Sequence, residues 1–191
     1  MNQILTTSVL RWASRSRVVA LRDGGEVVLR AAQPQDAEPV AAMHLRCSLE
    51  TTYGRYFTVL PRVSRRWQQA LLSTDVALVA VLGRDVVALG NLSTGPGGDA
   101  EVALLVEDAQ QGRGLGTVLA AQLAATARLL GHRSARLEIL AGAPVAQRLV
   151  GRLGSVAVRR SHSVVELEVR LGLGSLRGLG NPIEPLALRA G

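Results

Sequence analysis

The segment that most constrains this chain is an apolar run followed by a glycine-rich turn and a long helical pattern. Ala100–Val106 is a short apolar stretch that predicts a strand. After the turn, Leu115, Leu119, Leu123, Thr126 and Leu130 recur at spacings of 4, 4, 3 and 4. This periodicity predicts one face of an amphipathic helix that ends before a glycine at position 131.

The turn has the composition of an anion-binding loop. Gly112, Gly114 and Gly116 have no side chains that would keep a ligand from the backbone, and Arg113 can add a charge-assisted hydrogen bond. Backbone N–H groups at the start of a helix carry partial positive charge, so we expect a pyrophosphate here. A Walker A loop is excluded because the chain has no Lys, and Thr117 stands where a dinucleotide fingerprint needs its third glycine.

The remaining patterns predict a single α/β or α+β domain over residues 24–171. Strand and helix signals alternate irregularly, and a hairpin signature lies between two apolar runs. The predicted strands are Val27–Leu29, Val76–Leu82, Val86–Leu89, Leu137–Leu140, Val156–Val158 and Val164–Leu171, and the predicted helices start at Pro34, at Ser64 with Ser64 as its cap, and at Pro144, the last running to Leu153.

Two terminal segments lie outside this domain in our interpretation. Residues 1–23 read as an N-terminal extension of a bacterial cytoplasmic protein, although their Arg, Ser and Thr content also resembles a transit peptide. Residues 172–191 contain Gly-Leu-Gly twice and two prolines, which predicts a flexible tail.

Composition excludes several classes of protein. The most apolar candidate for a membrane span, Leu115–Leu130, is interrupted by polar residues. A single Cys47 and three scattered histidines favour neither an internal disulfide nor a metal site. All 22 basic residues are Arg and the net charge is +7, but they are spread along a chain with 3% aromatic residues, so a nucleic-acid partner is disfavoured.

The motif Gln111-x-x-Gly114-x-Gly116 resembles the Gln/Arg-x-x-Gly-x-Gly/Ala signature of the GNAT N-acetyltransferase superfamily. The resemblance implies a GNAT fold with a central mixed, mostly antiparallel sheet of six to seven strands and about four helices. It implies acetyl-CoA as co-substrate, inserted in a splayed gap between the strands at 100–106 and 137–140, and no metal. It places the thioester carbonyl on a backbone N–H of Leu105 or Val106 and the pyrophosphate on Gln111, Gly112, Arg113, Gly114, Leu115 and Gly116.

A narrower resemblance concerns the acceptor. Ser48–Phe57 and Ala100–Ala103 are similar to the GNAT domain of bacterial Pat-type protein-lysine acetyltransferases. The resemblance implies that Glu101 is the general base and that Tyr53, Arg55, Tyr56 and Arg62 lie near the acceptor site. A protein lysine, a small amine or an N-terminal amine remain open as acceptors, and a homodimer remains open as the assembly.

The residues by themselves support the same role for Glu101. A primary amine with a pKa near 10.4 is mostly protonated at neutral pH, so a base must accept its proton. Strand alternation places Glu101, Ala103 and Leu105 on one face, so we expect apolar neighbours that make the carboxylate a stronger base. An edge carboxylate or a partner for an Arg is the alternative. We expect Glu107 and Asp108 to be loop charges.

Other candidate catalytic residues have weaker support from the sequence. His44 is expected to be a packed or surface residue, and Cys47 has no activating neighbour at readable spacing. Position 143 is Ala where the family often has Asn, and Gly142–Leu153 contains no Tyr to protonate a leaving thiolate. A degenerate domain that binds acyl-CoA as a sensor or assembly module is therefore the alternative function.

Overall fold

One mixed sheet forms the centre of the molecule. The structure is a computed structural model that describes residues 15–59, 64–140, 156–161 and 163–171. The strands within these residues are β1 (Arg17–Ala20), β2 (Glu26–Ala31), β3 (Val76–Leu82), β4 (Asp85–Thr94), β5 (Ala100–Val106), β6 (Ser134–Leu140), β7 (Val156–Ser161) and β8 (Val164–Arg170). Their order in the sheet is β1-β2-β3-β4-β5-β6-β8-β7.

The sheet confirms the predicted fold class. Every neighbouring pair is antiparallel except β5 and β6, which are parallel. The eight strands exceed the predicted six to seven. The additional strand is β1, which pairs with β2 from Arg17↔Leu29 to Ala20↔Glu26, inside the segment predicted to be an extension. The sheet therefore begins before residue 24.

Four α-helices flank the sheet in the described part of the chain: α1 (Ala37–Arg46), α2 (Leu49–Tyr56), α3 (Arg65–Leu72) and α4 (Leu115–Leu129). The predicted cap of α3 is confirmed, because Ser64 Oγ accepts a hydrogen bond from Trp67 N at 3.3 Å. Ser48 caps α2 in the same way through Thr51 N at 3.1 Å. None of the helices that the structure describes combines the length and apolar character of a membrane span.

The helices cover opposite faces of the sheet. On one face, Leu115, Leu119 and Leu123 of α4 are fully buried in the larger apolar cluster. On the other, Val40 and Met43 of α1 pack in a cluster with Leu89 of β4 and Leu105 of β5. Each fully buried aliphatic side chain contributes about 1.5–3 kcal/mol relative to exposure. The second face also carries Glu101, so the chemistry proposed from the sequence lies on the side of α1, α2 and α3.

Two boundaries differ from the prediction. Strand β4 continues to Thr94 rather than ending at Leu89, since it pairs with β5 as far as Thr94↔Ala100. Gly90 and Asn91 break its apolar pattern, and this concealed the extension from the sequence. The predicted helix at 144–153 and the predicted tail at 172–191 lie outside the described residues.

The strands β5 and β6 separate soon after they meet. Their pairing consists of Ala100↔Ala135 and Glu101↔Arg136. The rest of β5 continues beside β4, while the rest of β6 pairs with β8. A gap therefore opens between 102–106 and 137–140, as the resemblance to the GNAT superfamily implies.

Candidate active site

The ladder between β4 and β5 determines which backbone groups face the gap. Glu107 N donates to Val87 O at 3.0 Å, so the odd-numbered residues of β5 direct their N–H and C=O groups toward β4. By this alternation Val106 presents its backbone groups to the gap and Leu105 does not. The carbonyl of Val106 accepts a hydrogen bond from Gln111 Nε2 at 3.1 Å from that side.

The glycine-rich turn has the backbone shape of an anion cradle. Gly112 has φ +76° and Gly114 has φ +91°, both in the left-handed region that favours glycine. A Cβ at Gly112 would meet no atom within 4 Å, so the backbone there is open to a ligand. Gly114 is the N-cap of α4, and the first N–H groups of a helix have no partner within it. The turn therefore fits a pyrophosphate.

Arg113, which is predicted to add a charge at this cradle, is paired within the protein. Arg113 Nε lies 2.6 Å from Asp23 Oδ2, and Arg113 Nη1 donates to Gln110 Oε1. Arg22 instead lies against Gly114, since a Cβ built there would be 3.3 Å from Arg22 Cγ and Nε. The sequence does not reveal this contact, because Arg22 precedes the loop by about ninety residues and no local signal joins the two.

The loop is also tied to helix α2. Asp108 accepts hydrogen bonds from Ser48 N at 2.8 Å, Ser48 Oγ at 2.7 Å and Thr51 Oγ1 at 2.9 Å. Burial alone would raise the pKa of Asp108, but these hydrogen bonds outweigh it and lower the pKa. Gln111 Nε2 donates to Thr51 Oγ1 at 3.0 Å. The predicted cofactor loop and the predicted acceptor helix thus share one hydrogen-bond network.

The other predicted loop charge is buried. Glu107 Oε2 accepts from Arg46 Nη2 at 2.9 Å, and this hydrogen bond raises the pKa of Arg46. Arg46 also donates to Val86 O at 2.8 Å, so it holds the end of α1 against β4. Glu107 and Asp108 therefore both fasten helices to the sheet.

Glu101 lies at the closed end of the gap with its side chain exposed. It is opposite Ser93 on β4 and beside Arg136 on β6, and a Cβ at Gly95 would be 2.5 Å from its Oε1. The expectation that Glu101 has apolar neighbours is wrong. The neighbouring loop is rich in glycine and has few side chains to cover the carboxylate. Nor is Arg136 its partner, since Arg136 pairs with Asp99 at 3.3 Å and Glu166 at 2.9 Å.

An aromatic cluster stands on the same face as Glu101. His44 Nδ1 donates to Val40 O at 2.7 Å, and its Nε2 therefore accepts from Tyr56 Oη at 2.7 Å when the ring is neutral. Trp67 packs edge-on against both rings, with its centroid 4.6 Å from that of Tyr56. His44 is thus a packed residue, as predicted, and burial raises the pKa of Tyr56 to about 12.

The residues expected near the acceptor differ in whether they face solvent or the protein interior. Tyr53 is exposed on α2, Arg55 is directed into the protein, and Arg62 lies outside the described residues. Arg55 Nη2 donates to Asn91 Oδ1 at 3.2 Å, and its guanidinium lies 4.8 Å from the Tyr56 ring centroid. Asn91 was not singled out from the sequence, although a polar residue inside an apolar strand is a readable signal.

Cysteine and metal chemistry find no support in the described residues. Burial, together with nearby Asp108 and Glu107, raises the pKa of Cys47 to about 12, so this residue is a neutral thiol at physiological pH. Within residues 15–59, 64–140, 156–161 and 163–171, His, Cys, Asp and Glu form no group of three or more that could hold a metal ion.

Comparison with known proteins identifies relatives over most of the chain. The family model of the acetyltransferase (GNAT) family matches residues 42–155. Acetyltransferase Pat of Mycolicibacterium smegmatis is 30% identical over 159 residues, which cover 79% of this chain and 47% of that protein. The chain therefore spans about half the length of this curated relative.

Solved structures show the same fold. The GNAT domain of S. lividans PAT is 32% identical, with a TM-score of 0.74 over 81% of this chain and 96% of that one. YncA of Salmonella typhimurium, solved with its cofactor acetyl-CoA, is 19% identical, with a TM-score of 0.60 over 77% of this chain and 95% of that one. The chain belongs to the GNAT family of acetyltransferases.

Proposed function

We propose that this protein transfers an acetyl group from acetyl-CoA to a primary amine, and that a protein lysine is one such acceptor. The observation that carries the proposal is the open glycine cradle at the start of α4, directly beside the gap between β5 and β6. The Pat relative and the GNAT domain of S. lividans PAT support the choice of acceptor. A cytoplasmic location remains a prediction from the sequence.

The cradle would hold the co-substrate through its pyrophosphate. In this proposal the backbone from Gln111 to Gly116, including Leu115, supplies N–H donors, and the start of α4 supplies partial positive charge. Arg22 supplies the nearby full charge, while Arg113 orders the loop through Asp23. Gln111 has to release Val106 O if the gap is to admit the pantetheine arm.

Acetyl-CoA would supply a thioester whose carbonyl carbon accepts an amine nucleophile. The N–H of Val106 would polarise the carbonyl oxygen from the gap, which favours Val106 over Leu105 for this role. Glu101 would accept the proton of the amine, and because its side chain is exposed, a water molecule can relay that proton. The leaving thiol resembles Cys, with a pKa near 8.5, so the reaction does not demand a dedicated acid.

The cradle is tested with one charged side chain. Gly114→Glu places a carboxylate where the pyrophosphate should bind, and like charges in contact cost several kcal/mol, so we expect acetyl-CoA affinity to fall by more than about 100-fold. Isothermal titration calorimetry measures the affinity. Gly83→Glu is the matched control, since Gly83 also has positive φ, at +63°, but lies in the exposed turn between β3 and β4.

Two outcomes would contradict the proposal. A folded Gly114→Glu variant with unchanged affinity would remove the cradle from its role. Acetyl-CoA binding by the wild type without acetylation of any amine, peptide or cell-extract protein would favour the sensor or assembly alternative. Mass spectrometry of acetylated products distinguishes these cases.

A further inference from the structure

Arg55 has an unusual environment for a partly buried cation. Its Nη2 donates to the neutral amide oxygen of Asn91 at 3.2 Å, and its guanidinium stacks over Tyr56. Its Nε is buried and makes no hydrogen bond. No carboxylate of the described residues lies within ion-pair distance of Arg55.

Three other partly buried arginines have the carboxylate partner that Arg55 lacks. Arg30 pairs with Asp36 at 2.6 Å, and Arg46 pairs with Glu107 at 2.9 Å. Arg136 lies between two carboxylates. A buried guanidinium loses hydration and needs a carboxylate or several acceptors in return. Arg55 has neither, and its burial lowers its pKa accordingly.

The polar neighbours of Arg55 are already committed. Asn91 Nδ2 donates to Leu71 O at 2.6 Å and to Thr74 Oγ1 at 3.1 Å, which fixes the amide so that its oxygen faces Arg55. The Tyr56 hydroxyl is bonded to His44. The edge of the guanidinium that carries Nε is therefore held in place with a donor to spare. A planar guanidinium edge matches the two oxygens of a carboxylate.

The position of Arg55 relates it to the reaction centre. Asn91 on β4 is opposite Ala103 on β5, and Glu101 is two residues before Ala103 on the same face. Diagonal neighbours across an antiparallel pair are about 7–8 Å apart. Helix α2, which carries Arg55, packs on both β5 and β6. The guanidinium thus lies over the sheet face that carries Glu101, away from α4.

We propose that Arg55 binds a carboxylate of the acceptor, so that the protein prefers amines that carry a carboxylate. This inference rests on the proposed function and concerns the specificity of the same site. The acceptor carboxylate takes the place that Asp36 or Glu107 has beside other arginines. The chemistry is shared by a free ω-amino acid and by a lysine with an acidic neighbour in a peptide.

The test compares matched acceptors. The small-molecule arm uses 5-aminopentanoate and 5-aminopentanamide, and the peptide arm uses a lysine peptide with Asp or Asn beside the lysine. A hydrogen-bonded pair with a charged group contributes enough to expect a preference of about 10–100-fold in kcat/KM for the acid. The arm that shows the larger preference identifies the source of the carboxylate.

Variants assign the preference to Arg55. In Arg55→Gln we expect kcat/KM for the acid to fall about 10–100-fold while that for the amide changes less than about threefold. Arg55→Lys keeps the charge without the planar fork and should retain part of the preference. Arg84→Gln, in the exposed turn after β3, is the control, and this variant should keep the full preference for the acid. If Arg55 had only a structural role, Arg55→Gln would lower kcat/KM equally for both acceptors, and this result would overturn the proposal.

A binding measurement separates this inference from the proposed function. Trp67 contacts the Tyr56 ring on which Arg55 stacks, so carboxylate binding should change tryptophan fluorescence. Titration with 5-aminopentanoate should saturate in the wild type and not in Arg55→Gln, with 5-aminopentanamide inactive in both. This result would stand even if no acetylation occurred, whereas equal responses to acid and amide would overturn the carboxylate site while leaving acetyl transfer intact.

Discussion

At the scale of single residues, the exposure of Glu101 decides how it could accept a proton in the proposed reaction. In the proposed reaction, the contribution of Glu101 depends on its position. Glu101 lies where β5 and β6 meet, with Gly95 beside it. The absence of a side chain at position 95 leaves room for the carboxylate and for a relaying water molecule.

Glu101→Gln keeps the shape of the side chain and removes its ability to accept a proton. We expect kcat to fall roughly 10²–10⁴-fold, the usual cost of losing a positioned base, with acetyl-CoA affinity unchanged. The dependence of kcat/KM on deprotonation of the amine, near pH 10, should remain in the variant. Steady-state kinetics from pH 6 to pH 10 measures both, and Glu26→Gln on β2 is the control. An unchanged rate and profile would make Glu101 structural.

His44 is the residue whose protonation should matter for stability. Burial is the main cause that lowers the pKa of His44, and the nearby charge of Arg55 lowers it further, although the bond to Val40 O opposes them. A protonated ring could no longer accept the hydrogen bond from Tyr56. The folded protein therefore holds His44 neutral.

The sign of the resulting pH effect follows from proton uptake. Below about pH 6.5 an unfolded His binds a proton that the folded His44 refuses, so the free energy of unfolding should fall as pH decreases, by at most about 1.4 kcal/mol per pH unit. Urea unfolding at pH 7.5, 6.5 and 5.5 tests this. His44→Gln should lose this component, and His132→Gln, at a surface bond to Gly98 O, should retain it. Identical slopes in wild type and His44→Gln would contradict the assignment.

At the scale of elements, the packing of α4 on the sheet depends on a glycine in β4. A Cβ at Gly90 would lie 3.0 Å from Leu123 Cδ1 and 3.3 Å from Leu104 Cδ2 and Leu119 Cδ2. Helix α4, which begins at the cradle, therefore packs directly on the backbone of β4. A shift of α4 would move the cradle as well.

Gly90→Val should lower the free energy of unfolding by about 1–3 kcal/mol, the usual cost of overpacking a core. Chemical denaturation measures the change. Gly97→Val is the matched control, because a Cβ at Gly97 meets only Asp99 Oδ2 at 3.7 Å, and it should change stability by less than about 0.5 kcal/mol. Equal effects of the two variants would show that α4 can move away from β4 without cost.

At the scale of the whole molecule, residues 17–23 pack with the sheet and with the glycine-rich turn. Val19 of β1 packs against the main core, whereas Val18 is 51% exposed. Arg17 donates to Gln122 Oε1 on α4, and Asp23 pairs with Arg113 in the cradle. The edge strand thus supports both the helix and the loop that we assign to acetyl-CoA.

The comparison of Val19→Asp with Val18→Asp tests this packing. We expect Val19→Asp to reduce the free energy of unfolding by about 2–3 kcal/mol, because it places a charge against apolar core residues. Val18→Asp, on the solvent face of the same strand, should change it by less than about 1 kcal/mol. Thermal and urea unfolding provide the values. If both variants were neutral, β1 would be dispensable.

The sequence by itself determined the features that depend on neighbouring residues. The bounds of β3, β5 and α4, the serine cap of α3 and the glycine turn at 112 and 114 follow from local periodicity and local backbone preference. The motif Gln111-x-x-Gly114-x-Gly116 was sufficient to indicate the family, since its spacing reflects one strand-to-helix turn.

Only the tertiary structure decided which of these residues are buried, paired or free. Arg113 pairs with Asp23 at a separation of 90 residues, and Arg22 takes the place beside Gly114. Glu101 is exposed, and Arg55 faces an amide where Arg30 and Arg46 face a carboxylate. The physical reason is that burial and charge pairing depend on the approach of segments far apart in the chain, which local periodicity does not encode.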